Sequence, residues 1–101
     1  MAFILVRYKI EDYNRWKNSF NDAFEMRKKS GEKSCRVFRM SDNSNEMVIL
    51  QEWESLASAR RFSKSQKLRN CMEKSGVVGK PDMIFLKELS LSMTNLQFIN
   101  L

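Results

Sequence analysis

A chain of 101 residues that is 43% hydrophobic and 11% aromatic holds one domain, with enough apolar side chains for a core and too many for a disordered segment. Its 18 Lys and Arg against 12 Asp and Glu give a formal charge of +6, which favours anionic partners. The chain contains no histidine, which removes Ser-His-Asp and Cys-His nucleophilic machinery, His-ligated zinc or haem, and the usual general base near neutral pH.

The first element is a strand, Phe3–Ile10, rich in β-branched and aromatic residues. Period two splits it into Ile4, Val6 and Tyr8 on one face and Phe3, Leu5 and Arg7 on the other. Asp12 then reads as an N-cap. Tyr13, Trp16, Phe20 and Phe24 recur every three or four residues and make one helix face. Arg27, Lys28 and Lys29 suit the last turn of that helix, and Gly31 suits its left-handed stop. A second strand alternates Cys35, Val37 and Arg39 against Arg36, Phe38 and Met40. The turn chemistry of Asp42–Asn45 leads into a third strand, Glu46–Trp53, whose apolar centre predicts an internal position and an antiparallel hairpin with the second.

Ser55 and Ser65 cap two short helices, the first with Leu56, Ala59 and Phe62 inward, the second with Leu68, Cys71 and Met72 inward and Gly76 as its stop. Val77–Asp82 reads as a loop, and a last strand alternates from Met83 onward. The order β-α-β-β-α-β predicts an α+β, ferredoxin-like fold with an antiparallel sheet. Residues 1–90 form this domain. The apolar extension 91–101 is expected to pack over a partner protomer.

Cys35 and Cys71 have no CxxC spacing, so zinc and redox motifs of the usual kinds are absent, and no metal site is expected. The apolar run after Met1 is too short for a signal peptide and no stretch reaches the length of a membrane span. A reducing, cytoplasmic setting with free thiols follows as the default.

Three stretches in order, "EDYNRWKNSF", "LQEWESLASARRFSKS" and "GVVGKPDMIFLKE", together resemble the dimeric α+β-barrel proteins, close to the antibiotic biosynthesis monooxygenase-like group. The likeness spans about Phe3 to Leu89. It implies a homodimer formed through the sheets and a ligand cavity between sheet and helices in each protomer. Some relatives are cofactor-independent monooxygenases acting on aromatic polyketides, and others degrade haem. The haem-degrading relatives work with an Asn near the end of the first strand, a Trp near the end of the third and a His on the following helix. Trp53 matches the Trp, Tyr8 falls at the Asn position, and Phe62 falls at or beside the His position. With no histidine, haem breakdown by that route is not expected.

Each candidate carries two readings. Trp53 is either a flat wall of an aromatic pocket, its indole N–H facing a substrate oxygen, or the closure of the core where strand meets helix. Tyr8 is expected to share that strand-end region, either orienting an enolate oxygen in the same cavity or buried with a satisfied hydroxyl. Trp16, Phe20 and Phe24 are a core stripe, with Trp16 the one best placed for a ligand. Arg7, Arg36 and Arg39 are strand arginines, any of which would attract a carboxylate or enolate if it faced the cavity. Arg60, Arg61, Lys64, Lys67, Arg69 and Lys74 make a basic surface, solvated or steering anions. Met residues on strands would line an adaptable pocket.

The resulting expectation is a monooxygenase-like protein. Tyr8 and Trp53 are its catalytic candidates, and Trp16, Phe20, Phe62 and Arg36 its substrate-binding candidates. It would need no cofactor and act on an aromatic or polyketide-like molecule. The alternative is a binding protein that holds an apolar metabolite without turning it over. Nucleic-acid binding ranks last, because "CRVFRMSD" lacks the glycines and aromatic spacing of an RNA-recognition motif.

Overall fold

Alternation in the first strand sets the core. In a computed structural model that describes residues 2–89, Ile4, Val6, Tyr8 and Ile10 point to one side of β1 (Ala2–Ile10) and are buried. The chain continues through α1 (Tyr13–Asp22), α2 (Phe24–Ser30), β2 (Glu32–Met40), β3 (Asn43–Trp53), α3 (Leu56–Ser63), α4 (Gln66–Ser75) and β4 (Val77–Lys87). The sheet order is β2-β3-β1-β4, with every neighbouring pair antiparallel. This is the ferredoxin-like arrangement, and β3 is internal as its continuous apolar centre predicts. The expected extension 91–101 lies outside the described residues.

Register decides which side chains share a face. Pairing of Val6 with Ile49 and Ile4 with Gln51 puts the inner side chains of β1 and β3 together. Trp16 from α1 and Ala59 and Phe62 from α3 close over them. Each fully buried large apolar side chain there contributes roughly 1.5–3 kcal/mol. The opposite sheet face carries Leu5 between Leu50 and Ile84, with Leu86 beside Phe3 and Phe38 beside Val48. No described element of the chain covers it, and Ile84 and Leu86 remain 51% and 40% exposed.

The helix boundaries follow their caps. Asp12 accepts the backbone N–H of Arg15 at 2.8 Å, Ser55 that of Ser58 at 3.0 Å, and Ser65 that of Leu68 at 3.2 Å. The expected single helix after Asp12 is broken at Ala23, whose N–H still bonds the Ser19 carbonyl at 3.1 Å but whose φ of −86° and ψ of 4° leave the helical basin. Phe24 does not join the stripe and is 50% exposed. At 100° per residue it falls roughly 80° from Trp16, while Phe20, Ala23 and Arg27 stay in phase and turn inward. Leu56 likewise faces solvent at the start of α3. Arg15 ties α1 to the end of α4, donating to the Lys74 and Glu73 carbonyls of its last turn.

The expected loop 77–82 is strand. β4 starts at Val77, paired with Ile10, and an irregularity between Arg7 and Lys9 absorbs the surplus residues. Gly79 sits in that irregularity with φ +73 and open space around it, so a left-handed backbone and not crowding requires the glycine. A sequence containing Gly and Pro reads as a loop. Here both are accommodated at a bulge on an edge strand.

Candidate functional site

A narrow chamber lies between the sheet and the helices. Ile4, Val6, Tyr8, Ile49, Gln51 and Met83 form its floor. Phe20, Met26 and Arg27 come down from α1 and α2, Phe62 from α3, and Leu68 and Met72 from α4. Its volume is about 50 Å³, room for a few non-hydrogen atoms, against roughly 300–1,000 Å³ for most ligand pockets. Ser19, Ala23, Met26 and Cys71 line both the chamber and an outer groove of about 380 Å³ between the α1–α2 junction and α4. These shared residues mark the boundary, or throat, between the two spaces, and the helix break at Ala23 lies in it.

Tyr8 marks one end of the chamber. Its hydroxyl oxygen accepts the indole N–H of Trp16 at 2.8 Å. The phenolic O–H has no protein acceptor among the described residues and is left to donate to whatever occupies the chamber. Burial pushes the phenol up to about 12, against the smaller opposing effects of the Trp16 hydrogen bond and the Arg27 charge. Tyr8 is therefore a neutral donor across the physiological range.

The other end carries a buried polar cluster. Arg27 is 5% exposed and its Nε donates to Glu32 Oε1 at 3.0 Å. Its Nη1 donates to the Phe20 carbonyl at 2.7 Å, and the guanidinium lies 3.8 Å from the centroid of the Phe20 ring. Gln51 Nε2 donates to the second oxygen of Glu32 at 2.7 Å. Cys35, next to this cluster, has its thiol pushed up by burial and by the Glu32 carboxylate, with Arg27 opposing. A raised thiol makes a poor nucleophile.

The expected site residues divide. Tyr8, Phe20 and Phe62 line the chamber, and Met26, Met72 and Met83 supply the methionine lining. Trp16 stands behind Tyr8 as its hydrogen-bond donor and stacks on Phe20 at 4.9 Å. Trp53 is not in the chamber wall. It is wholly buried behind Phe62, with ring centroids 4.8 Å apart. Its Nε1 has no partner among the described residues, a cost of about 1–3 kcal/mol. Burial of an indole outweighs that, at roughly 4–6 kcal/mol for its apolar area.

Nor do Tyr8 and Trp53 share one end of the sheet. Tyr8 pairs with Met47, whereas Trp53 pairs with Ala2. About 20 Å of strand separates the two positions. The two strands are antiparallel, so the end of one lies beside the start of the other. Arg36 is also placed elsewhere: paired with Leu50, it lies on the opposite sheet face, with its guanidinium over Phe38. Arg7 on that same face bonds Glu46 at 2.8 Å, and exposed Arg39 stacks on Tyr13 at 4.1 Å. Cys35 and Cys71 are both free thiols. The six cations of α3 and α4 are all solvent-exposed.

Arg27, Glu32 and Gln51 are the polar residues that sequence reasoning passed over. Arg27 belongs to a basic run that suits a helix end, which conceals it. Its spacing from Trp16 and Phe20 is the available signal, because it puts a cation on an apolar helix stripe. Gln51 shows the same signal at period two, a polar residue on the parity of Met47, Ile49 and Trp53.

The arrangement of sheet and helices recurs in solved structures. A candidate antibiotic biosynthesis monooxygenase from Bordetella bronchiseptica superposes with a TM-score of 0.74 over 87% of this chain and 96% of its own, at 8% identity. SnoaB, a cofactor-independent oxygenase from Streptomyces nogalater, superposes at 0.71 over 89% and 94%, at 11% identity. The fold is that of the antibiotic biosynthesis monooxygenases. A further protein of this fold, from Caulobacter crescentus CB15, superposes at 0.70 over 88% and 90%, with 12% identity. No protein-family profile and no curated protein matches the chain. At these identities the likeness to antibiotic biosynthesis monooxygenases is one of fold, and the chemistry rests on the side chains present. Among the described residues no helix is long and apolar enough to cross a membrane.

Proposed function

We propose that this protein binds an aromatic or polyketide-like small molecule at the chamber and its throat. There it acts as a cofactor-independent monooxygenase on the ionised form of that molecule. The observation that carries the reading is the Tyr8 hydroxyl, which accepts the Trp16 indole N–H, keeps its own O–H without a protein acceptor among the described residues, and lines a largely apolar chamber with Arg27 and Gln51 at its other end. A fixed donor in a water-poor site stabilises a developing oxyanion without reorganisation. The substrate is its own reductant: its activated CH₂ becomes a carbonyl with one oxygen atom from dioxygen, and the other leaves as water. Trp53 serves this site as a positioning residue, through its contact with Phe62.

The test is oxygen uptake with an anthrone. Uptake above the buffer rate is expected, with Tyr8→Phe about tenfold slower or worse, and Trp53→Phe slower to a smaller degree. A second reading, binding without turnover, is favoured by the small chamber volume and by the absence of Trp53 from its wall. Tight anthrone binding with no oxygen uptake establishes that reading and removes the first. We further infer that the exposed apolar sheet face joins two copies of the chain as a homodimer.

A further inference from the structure

The buried cation is the feature that core packing does not explain. A guanidinium has five N–H groups. In Arg27, Nε–H is given to Glu32 and one Nη1–H to the Phe20 carbonyl. The remaining donors, Nη2 among them, have no protein acceptor among the described residues. They are not fully enclosed: among the described residues the one enclosed polar side-chain atom without a partner is Trp53 Nε1, and Arg27 lines the chamber. Unpaired donors on a buried cation that opens onto a cavity call for an acceptor inside it.

We propose that Arg27 anchors the anionic head of the ligand: an amphiphilic oxyanion, with a carboxylate or phenolate at one end and an apolar body. Glu32 and Gln51 position Arg27 and are not themselves ligand contacts. Glu32 fixes the Nε edge and Gln51 fixes Glu32, so the fork of Nη donors is held toward the chamber before the ligand arrives. Charge-assisted hydrogen bonds from such a fork are about twice as strong as neutral ones. The chamber's 50 Å³ accepts a head group of a few atoms and not a ring system. The body therefore lies along the throat, where the shared Ala23, Met26 and Cys71 lead to the 380 Å³ groove. Access between the α1–α2 junction and α4 follows from this.

The inference rests on the chamber being a ligand site, and the probes separate the two ideas. Octanoate and its neutral counterpart octanamide share a body and differ in head-group charge. Titration calorimetry on the parent protein is expected to show both binding, octanoate more tightly. In R27M/E32Q, which removes the cation without stranding the carboxylate, octanoate affinity is expected to fall about tenfold to a hundredfold, with octanamide unchanged within about twofold. Arg27→Lys keeps the charge and the partner but loses the fork. It is expected to weaken octanoate about threefold or more, and it decides the matter if the double variant does not fold. Protection of Cys71 from alkylation by bound octanoate supports the throat. Equal loss for both probes, or no loss for octanoate, overturns the role of Arg27 while leaving the chamber reading intact. Binding of neither probe by the parent protein overturns both.

Discussion

Tyr8 shows how one side chain serves the core while lining the chamber. Its hydroxyl is bonded by Trp16 and its ring is part of the core. Burial raises its folded-state value to about 12 from 10.0. The folded state then holds the proton more tightly than the unfolded chain, so stability is independent of this group below pH 10 and declines between about 10 and 12. The expected loss across that window is about 2–3 kcal/mol. Urea denaturation at a series of alkaline pH values measures it, and Tyr8→Phe is expected to flatten the dependence relative to the parent. An unchanged slope in the variant contradicts a buried phenol. Residue types and parity indicate an inward-facing Tyr8, and the structure agrees. They do not indicate that Tyr8 and Trp53 lie at opposite ends of β1, because that follows from the register Ala2–Trp53. Arg27 presents the reverse case: its type suggests solvent, and its helical phase sends it to the chamber.

At the scale of elements, caps and stops were legible because they are local. Asp12, Ser55 and Ser65 each meet a backbone N–H three residues on, and Gly31 and Gly76 both take positive φ at helix ends. Breaks within elements were not legible. Nothing in "FNDAFEM" marks Ala23 as the end of α1, and the bulge near Gly79 depends on pairing with β1. The two glycines allow a comparison. Gly76 and Gly79 have nearly the same φ, +76 and +73. A Cβ at Gly76 would lie 3.2 Å from Arg15 Nη1, whereas one at Gly79 meets nothing within 4 Å. Gly79→Ala is expected to cost about 1 kcal/mol from backbone conformation alone. Gly76→Ala is expected to cost more, because it also displaces the arginine that ties α1 to α4. Denaturant midpoints of the two variants, compared at equal slope, give the difference. Equal costs would show that the Arg15 clamp carries no weight.

At the scale of the whole molecule, the described residues cover the sheet on one face and leave the other bare. Leu5, Leu50, Ile84, Leu86 and Phe38 lie on the bare side. A patch of this kind on a small domain leaves burial unrealised that a second copy can supply. If the homodimer forms there, Ile84→Glu is expected to shift sedimentation equilibrium from dimer to monomer without altering the far-ultraviolet circular dichroism. A parent protein that sediments as a monomer, or a variant that remains dimeric, rules out that face as the interface.

The sequence by itself determined the element order, the two faces of β1, the helix caps and the likeness to the antibiotic biosynthesis monooxygenases. These depend on neighbours a few residues apart, where backbone hydrogen bonding and side-chain periodicity act. Only the tertiary structure decided the site. It put Trp53 behind Phe62 and out of the chamber, turned Arg36 to the far face, and brought Arg27 from α2, Glu32 from β2 and Gln51 from β3 into one hydrogen-bonded cluster. Register and helix phase control those placements, and both are set by how the elements pack on one another rather than by any one stretch of chain.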